Sequence, residues 1–316
     1  MCTGVRFTSG KGDLYFGRNL DWSFSYGEKV LTVPRNYPRK WAFEGTPTGD
    51  QPAIIGMGIV QENTPLFFDC ANENGLAIGG LNFPGWAQYE PGPVEGKTNV
   101  AAYEFPFWVV SNFNTVDEVE AALKDVAIVA KAINEKYPVS MLHWLIGDKD
   151  RSIVVEYTPD GMNVYHDDLD VLTNQPGFPW HVEHVRNYMN VTSDVPADTT
   201  WETQKLTAFG SGFGMLGLPG EFSSPSRFVR AAYFNSHYPD QADEASNVSR
   251  LFHTLGGAAM IKGGARMTDG DFEFTVYTGG YSQATKTYYY STYDDPAIKS
   301  VAMSATDLDG TEIAQA

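Results

Sequence analysis

From residue 4 to residue 83 the chain reads as one strand after another, and this run constrains the fold more than any single motif does. The segments "GVRFTS", "LYFGRNL", "KVLTVP", "AIIGMGIV" and "LFFDCANENGLAIGGLNF" suit strands, and Asn74-Gly75 in the last marks a hairpin turn. Helical patterns begin only afterwards. In "NTVDEVEAALKDV", Thr115 and Glu118 have the spacing of a capping box, and Val116, Val119, Leu123 and Val126 share one face, which predicts a helix packed on a sheet. Strands return in "SMLHWLIGD", "SIVVEY" and "MNVYHD". Two helices follow in "SPSRFVRAAYFNSHY", with Ser224 as N-cap and Pro225 at N1, and in "DEASNVSRLFHTL". The chain closes on the strands "DFEFTVYT", "TKTYYYSTYDD" and "AIKSVAM". Strands and helices in blocks predict an α+β fold of antiparallel sheets with segregated helices, and oppose a doubly wound parallel sheet. No repeat or linker divides the 316 residues, so a single domain over 1–316 is expected, with a loop-rich excursion at about 190–224.

Several function classes fall away. A net charge of −17 without any basic cluster opposes nucleic acid as a partner. No apolar run approaches the roughly 18 residues of a membrane span, and no secretory signal opens the chain, so a soluble cytoplasmic protein with no membrane contact is expected. "GFGMLG" (Gly212 to Gly217) matches a dinucleotide-loop pattern but is followed by "LPG" instead of a helix, which makes it a surface loop. His181 and His184 in "HVEH" have a ligand-like spacing without a third ligand and read as ordinary exposed helix histidines; neither metal nor cofactor is expected. The only cysteines are Cys2 and Cys70, too few for a disulfide framework, and Cys70 in "PLFFDC" reads as an inert buried thiol.

Cys2 is the residue with chemistry to offer. Behind an initiator methionine, a small second residue permits Met1 to be removed, and Cys2 then carries a thiol and a free α-amine together. The amine (about 7.7–8.0) and thiol (about 8.5) differ by less than about one pKa unit, so one can serve as base for the other at a cost of roughly 1 kcal/mol. Such a thiolate needs a cation beside it and a carboxylate to hold the amine. If the first two strands pair across a turn near Lys11, opposed positions sum to about 22, and Cys2 faces position 20 with Arg18 and Asp21 on either side. Their odd separation puts them on opposite faces of a regular strand, so both reach Cys2 only if the strand bulges or ends between them.

At this point "MCTGVRF", "YFGRNLDWSFSYGE", "DCANENGLAIGGLNFPG", "VLTNQP" and "SSPSRFVR" together resemble the choloylglycine hydrolases, above all the bile salt hydrolases, over nearly the whole length. The resemblance implies an N-terminal nucleophile hydrolase, a four-layer αββα sandwich with two antiparallel sheets between helix layers. It implies Cys2 as nucleophile, Arg18 beside the thiol, Asp21 on the terminal amine, Asn82 and Asn174 as oxyanion-hole positions, and Arg227 as the remaining polar site residue. The implied activity is hydrolysis of glycine- or taurine-conjugated bile salts through an acyl thioester, by a homotetramer that needs no cofactor.

Leu20, Trp22, Phe24 and Tyr26 recur at period two, which fits either a half-buried strand or the apolar wall of a steroid pocket. By resemblance, Met57 to Gln61 and Ile128 to Ile133 add pocket walls, Met57 and Ile133 among them. Asn82 favours bile salts, since the penicillin V acylase branch often has Tyr there. Penicillin V or acyl-homoserine lactone acylase activity stays open as an alternative. So does a non-catalytic binding protein that retains Met1.

Overall fold

The computed structural model describes residues 1–316. Six strands come first: β1 (Cys2–Thr8), β2 (Leu14–Trp22), β3 (Lys29–Val33), β4 (Ile54–Gln61), β5 (Thr64–Asn72) and β6 (Ala77–Asn82). A short β7 (Thr98–Ala101) leads to helices α1 (Phe105–Asn112) and α2 (Val116–Leu123), then to β8 (Val126–Val129). Next come β9 (Leu142–Gly147), β10 (Ser152–Thr158), β11 (Gly161–His166) and β12 (Val171–Leu172), followed by α3 (Phe178–Val185) and a small hairpin, β13 (Thr199–Trp201) and β14 (Gln204–Leu206). The long helices α4 (Ser224–His237) and α5 (Glu244–Gly256) precede β15 (Ala265–Arg266), β16 (Phe272–Ser282), β17 (Thr287–Thr292), β18 (Lys299–Ala302) and β19 (Ala314–Gln315).

Two antiparallel sheets form the centre, as the blocked order predicts. The first runs β12-β1-β2-β16-β17-β18 with β15 attached to β16, and the second runs β11-β10-β9-β6-β5-β4-β3-β19. One buried cluster of 29 residues joins the first sheet both to α4 and α5 and to the facing side of the second sheet. Another, of 28 residues, seals the second sheet under α1 and α2. The layers are therefore helix, sheet, sheet, helix, the four-layer αββα sandwich. Close approach of α5 depends on bare backbone: a Cβ on Gly17 of β2 would meet Leu251 at 3.1 Å and the Gly279 carbonyl at 2.7 Å.

Local signals hold in part. Thr115 caps α2 in a complete capping box with Glu118, although the helix stops at Leu123 and Val126 opens β8. The N-cap of α4 is Ser223, one residue before the expected Ser224, because the Ser224 hydroxyl turns instead to the Asn174 backbone N–H, at 2.9 Å. At the β5–β6 turn only Gly75 takes positive φ, and Asn72 Oδ1 accepts from the N–H groups of Asn74 and Leu76, so an Asx turn shares the task given to Asn74-Gly75. Helix α1 carries no sequence periodicity. Seven of the eight α1 residues are buried, and a helix apolar on every face shows no stripe.

Candidate active site

Strands β1 and β2 pair with Cys2 opposite Leu20, the register that a sum of 22 requires. Cys2 is buried, 3% exposed. Arg18 lies two residues from Leu20 on the same face of β2 and donates from Nη2 to Cys2 Sγ at 2.5 Å. Its Nη1 donates to the carbonyls of Phe68 (2.9 Å) and Gly80 (2.6 Å) in the second sheet, so the guanidinium is held between the sheets. Burial works against its charge, but Cys2, Tyr277, Asp69 and Asp21 outweigh burial and hold its pKa above the ordinary arginine value.

Asp21 faces the other way, toward α4. Its Oδ1 accepts from Thr275 Oγ1 at 2.6 Å, while Oδ2, fully buried, has no hydrogen bond and lies 3.7 Å from Arg227 Nη1. The expected bulge between Arg18 and Asp21 is absent: β2 runs on to Trp22, and the extra residue is Val276 on the neighbouring strand β16. Arg18 and Asp21 flank Cys2 from opposite faces of the sheet, one at its side chain and the other on the side of its backbone. The bulge has its own use. It leaves Thr275 on the helix side beside Asp21 and turns Tyr277 inward, where Tyr277 donates to Asp69 Oδ1 at 2.5 Å.

Asn174 continues the line of β12 past β1, opposite Cys2. Its Oδ1 accepts from the Cys2 N–H (2.9 Å) and from Arg227 Nη2 (2.7 Å), and its Nδ2 donates to the Asn82 carbonyl at 2.6 Å. Arg227, wholly buried in the first turn of α4, also donates to the Cys2 carbonyl and to Thr3 Oγ1. Burial lowers its pKa, with Asp21 and Cys2 opposing. Asn82 ends β6 half-buried, and its side-chain amide makes no hydrogen bond within the chain. The structure thus brings together Cys2, Arg18, Asp21, Asn82, Asn174 and Arg227. The amine of Met1, which precedes Cys2 in the sequence, donates to the Asp21 carbonyl at 2.7 Å and pairs with the buried Glu273 carboxylate.

The pocket residues divide. Trp22 is the half-buried last residue of β2, and the chain beyond it leaves the sheet, exposing 51% of Phe24 and 37% of Tyr26. Ring centroids step from Trp22 to Phe24 (6.4 Å), to Tyr26 (4.9 Å) and to Phe68 (5.6 Å), whose carbonyl holds Arg18. Strand packing therefore accounts for Leu20 and Trp22 but not for Phe24 and Tyr26. Leu20 and Met57 are buried with Cys2 in the cluster that reaches between the sheets. Ile133 is half-buried on the loop after β8, and Ile128 is buried under α1 and α2.

Several site residues escaped sequence reasoning. Asp69 is buried and bound by Tyr277 and by Tyr288 (2.6 Å), and burial raises its pKa while Arg18 pulls it back. Its tyrosines lie 208 and 219 residues away, so no local signal could have shown it. His181 is buried, not exposed as "HVEH" suggested: its ring stacks on Phe228 at 4.7 Å and Nε2 donates to the Asn174 carbonyl at 2.9 Å. Burial lowers its pKa to about 4. Cys70 is free and buried, with its thiol pKa pushed well up by desolvation.

Comparison with known proteins gives a consistent answer. Residues 2–316 match the family model for linear amide C–N hydrolases of the choloylglycine hydrolase family. The chain is 57% identical over 313 residues to a bile salt hydrolase/transferase of Bifidobacterium longum, covering 99% of this chain and 98% of that protein. It is 46% identical over 314 residues to a conjugated bile acid hydrolase of Lactobacillus gasseri, covering 99% of each. The crystal structure of the C2A mutant of conjugated bile acid hydrolase from Clostridium perfringens superposes with a TM-score of 0.92 at 36% identity, covering 100% of this chain and 96% of that one. The chain belongs to the choloylglycine hydrolase family of linear amide C–N hydrolases.

Proposed function

We propose that the protein hydrolyses the amide bond of glycine- or taurine-conjugated bile salts with Cys2 as nucleophile, once Met1 has been removed. The observation that carries this is the pairing of the Cys2 thiol with Arg18, while the Cys2 nitrogen sits against Asn174 beside a carboxylate, Asp21, that has an unused oxygen. Removing Met1 turns that nitrogen into an amine with protons to spare for Asp21. The thiolate adds to the amide carbonyl, and the oxyanion is met by the free side-chain amide of Asn82, with Asn174 beside it. The C–N bond breaks, glycine or taurine leaves with a proton from the Cys2 amine, and the acyl group stays on sulfur. Water, giving its proton to the same amine, then hydrolyses the thioester to the free bile acid. The aromatic steps from Trp22 to Phe68 supply the apolar faces a rigid steroid needs.

The test is release of glycine and taurine from conjugated bile salts by purified protein, with intact mass measured on the same sample. The expected mass is lighter by one methionine residue and the expected result is release of amino acid. Protein that lacks Met1 yet releases neither would sink the reading and make penicillin V the next substrate to try.

We further propose a cytoplasmic homotetramer built through the excursion at 190–224. There Trp201, Phe209 and Leu216 are 72%, 97% and 79% exposed, apolar surface that a neighbouring copy would cover. Light scattering is expected to give four times 34.9 kDa, and Trp201→Asp with Phe209→Asp to give smaller species. A monomeric wild type would overturn the assembly.

A further inference from the structure

We infer that His143 is a positioning residue for the oxyanion donors, with one imidazole fixing both the Asn82 and the Asn174 segments. This rests on the proposed amide hydrolysis. His143 lies on β9 directly opposite Leu81, the residue before Asn82, and its ring stacks on Phe83, the residue after Asn82, at 4.1 Å and 7°. The far edge of the same ring reaches the other segment, where Nε2 donates to the Thr173 carbonyl, immediately before Asn174, at 3.0 Å. Its Nδ1 lies 3.0 Å from Glu156 Oε1, and that oxygen also accepts the Phe178 N–H at the start of α3 at 2.9 Å. Both side chains are buried.

The two asparagines come from different sheets, β6 in one and the continuation of β12 in the other. Their only direct tie is the hydrogen bond from Asn174 Nδ2 to the Asn82 carbonyl, and the other bonds that hold the Thr173–Asn174 backbone run toward α4, from the Asn174 N–H and Thr173 Oγ1 to Ser224. His143 adds the tie toward the second sheet, at the Thr173 carbonyl. His181 grips the next carbonyl, that of Asn174, so two consecutive peptide units are each held by an imidazole. Apolar packing of the same volume would stabilise such a core as well as a buried polar pair does, so stability alone does not account for His143 and Glu156. Geometry does: oxyanion donors act only within a few tenths of an ångström of their place, and a misplacement of about 1 Å costs on the order of 100-fold in rate.

The test separates steps that need the oxyanion hole from one that does not. Alkylation of Cys2 by iodoacetamide displaces iodide from carbon and requires the thiolate but no oxyanion donor, whereas bile salt hydrolysis requires both. His143→Gln is expected to lower kcat on a glycine-conjugated bile salt about 10- to 100-fold, with KM and the alkylation rate within about twofold of wild type. Glu156→Gln, which leaves the imidazole in place but loosens it, is expected to show the same pattern at about 3- to 10-fold and decides the matter if His143→Gln does not fold. An unchanged kcat in a folded variant overturns the inference. So does a parallel fall in kcat and alkylation, which would mean that the pair only supports the fold. Wild type that turns over neither bile salts nor penicillin V defeats the reading of the site, and this inference with it.

Discussion

Replacing Cys2 by alanine is expected to reduce amide hydrolysis by at least about 10⁴-fold while leaving the fold intact. The side chain is one sulfur atom in a site whose walls are backbone carbonyls and Arg18, so its loss opens little space, and a stability change of about 1 kcal/mol is anticipated. Serine at the same position keeps the amine and the volume but brings an oxygen that Arg18 cannot hold as an anion at neutral pH; it is expected to fail nearly as completely. Steady-state release of glycine from a conjugated bile salt, alongside thermal unfolding, measures both quantities. Residual turnover within about tenfold of wild type would remove Cys2 from the mechanism.

Arg18→Leu is expected to have the second largest effect, and to have it twice over. The thiol loses the guanidinium that donates to it, so alkylation by iodoacetamide slows along with hydrolysis, each on the order of 100-fold. The fold loses the countercharge of Asp69, a buried carboxylate left with only two tyrosine hydroxyls, at a cost of about 3–5 kcal/mol near neutral pH. The sign of the pH dependence follows from the direction of the shift. Burial raises the Asp69 pKa above that of the unfolded chain, and Arg18 opposes the rise. Without Arg18 the folded state holds its proton more strongly, so the variant keeps its stability below the unfolded value of about 3.9 and loses it as pH climbs through the higher folded value. Melting temperatures of variant and wild type should converge in acid and separate toward neutrality. A gap that does not change with pH would show that Asp69 is not the group left unpaired.

The fold was legible in the sequence wherever one face of an element differs from the other. The order of strands and helices, the capping box at Thr115 and the pairing of Cys2 with Leu20 all follow from local patterns. Helix α1, buried on nearly every side, has no such contrast. Within the site the same division holds. Arg18 and Asp21 were readable as alternating neighbours on a strand, although the sequence placed the irregularity on β2, whereas Val276 of β16 carries it. Asp69 and His143 were invisible because what defines them is contact between segments far apart in the chain: Asp69 with tyrosines more than 200 residues later, His143 with the residues next to Asn82 and Asn174. In "PLFFDC" and "LHWLIG" each reads as a polar interruption of a strand and nothing more.

The single surplus residue on β16 has a consequence for how this chain can change over time. Substitutions along the strand alter one contact each, but losing or gaining one residue between Thr275 and Tyr277 would exchange the faces of everything beyond it. Asp21 and Asp69 would be disconnected in the same event, although they lie on opposite sides of the sheet. Descendants of this chain can therefore exchange single residues of β16 at the cost of one contact at a time, whereas its length is locked.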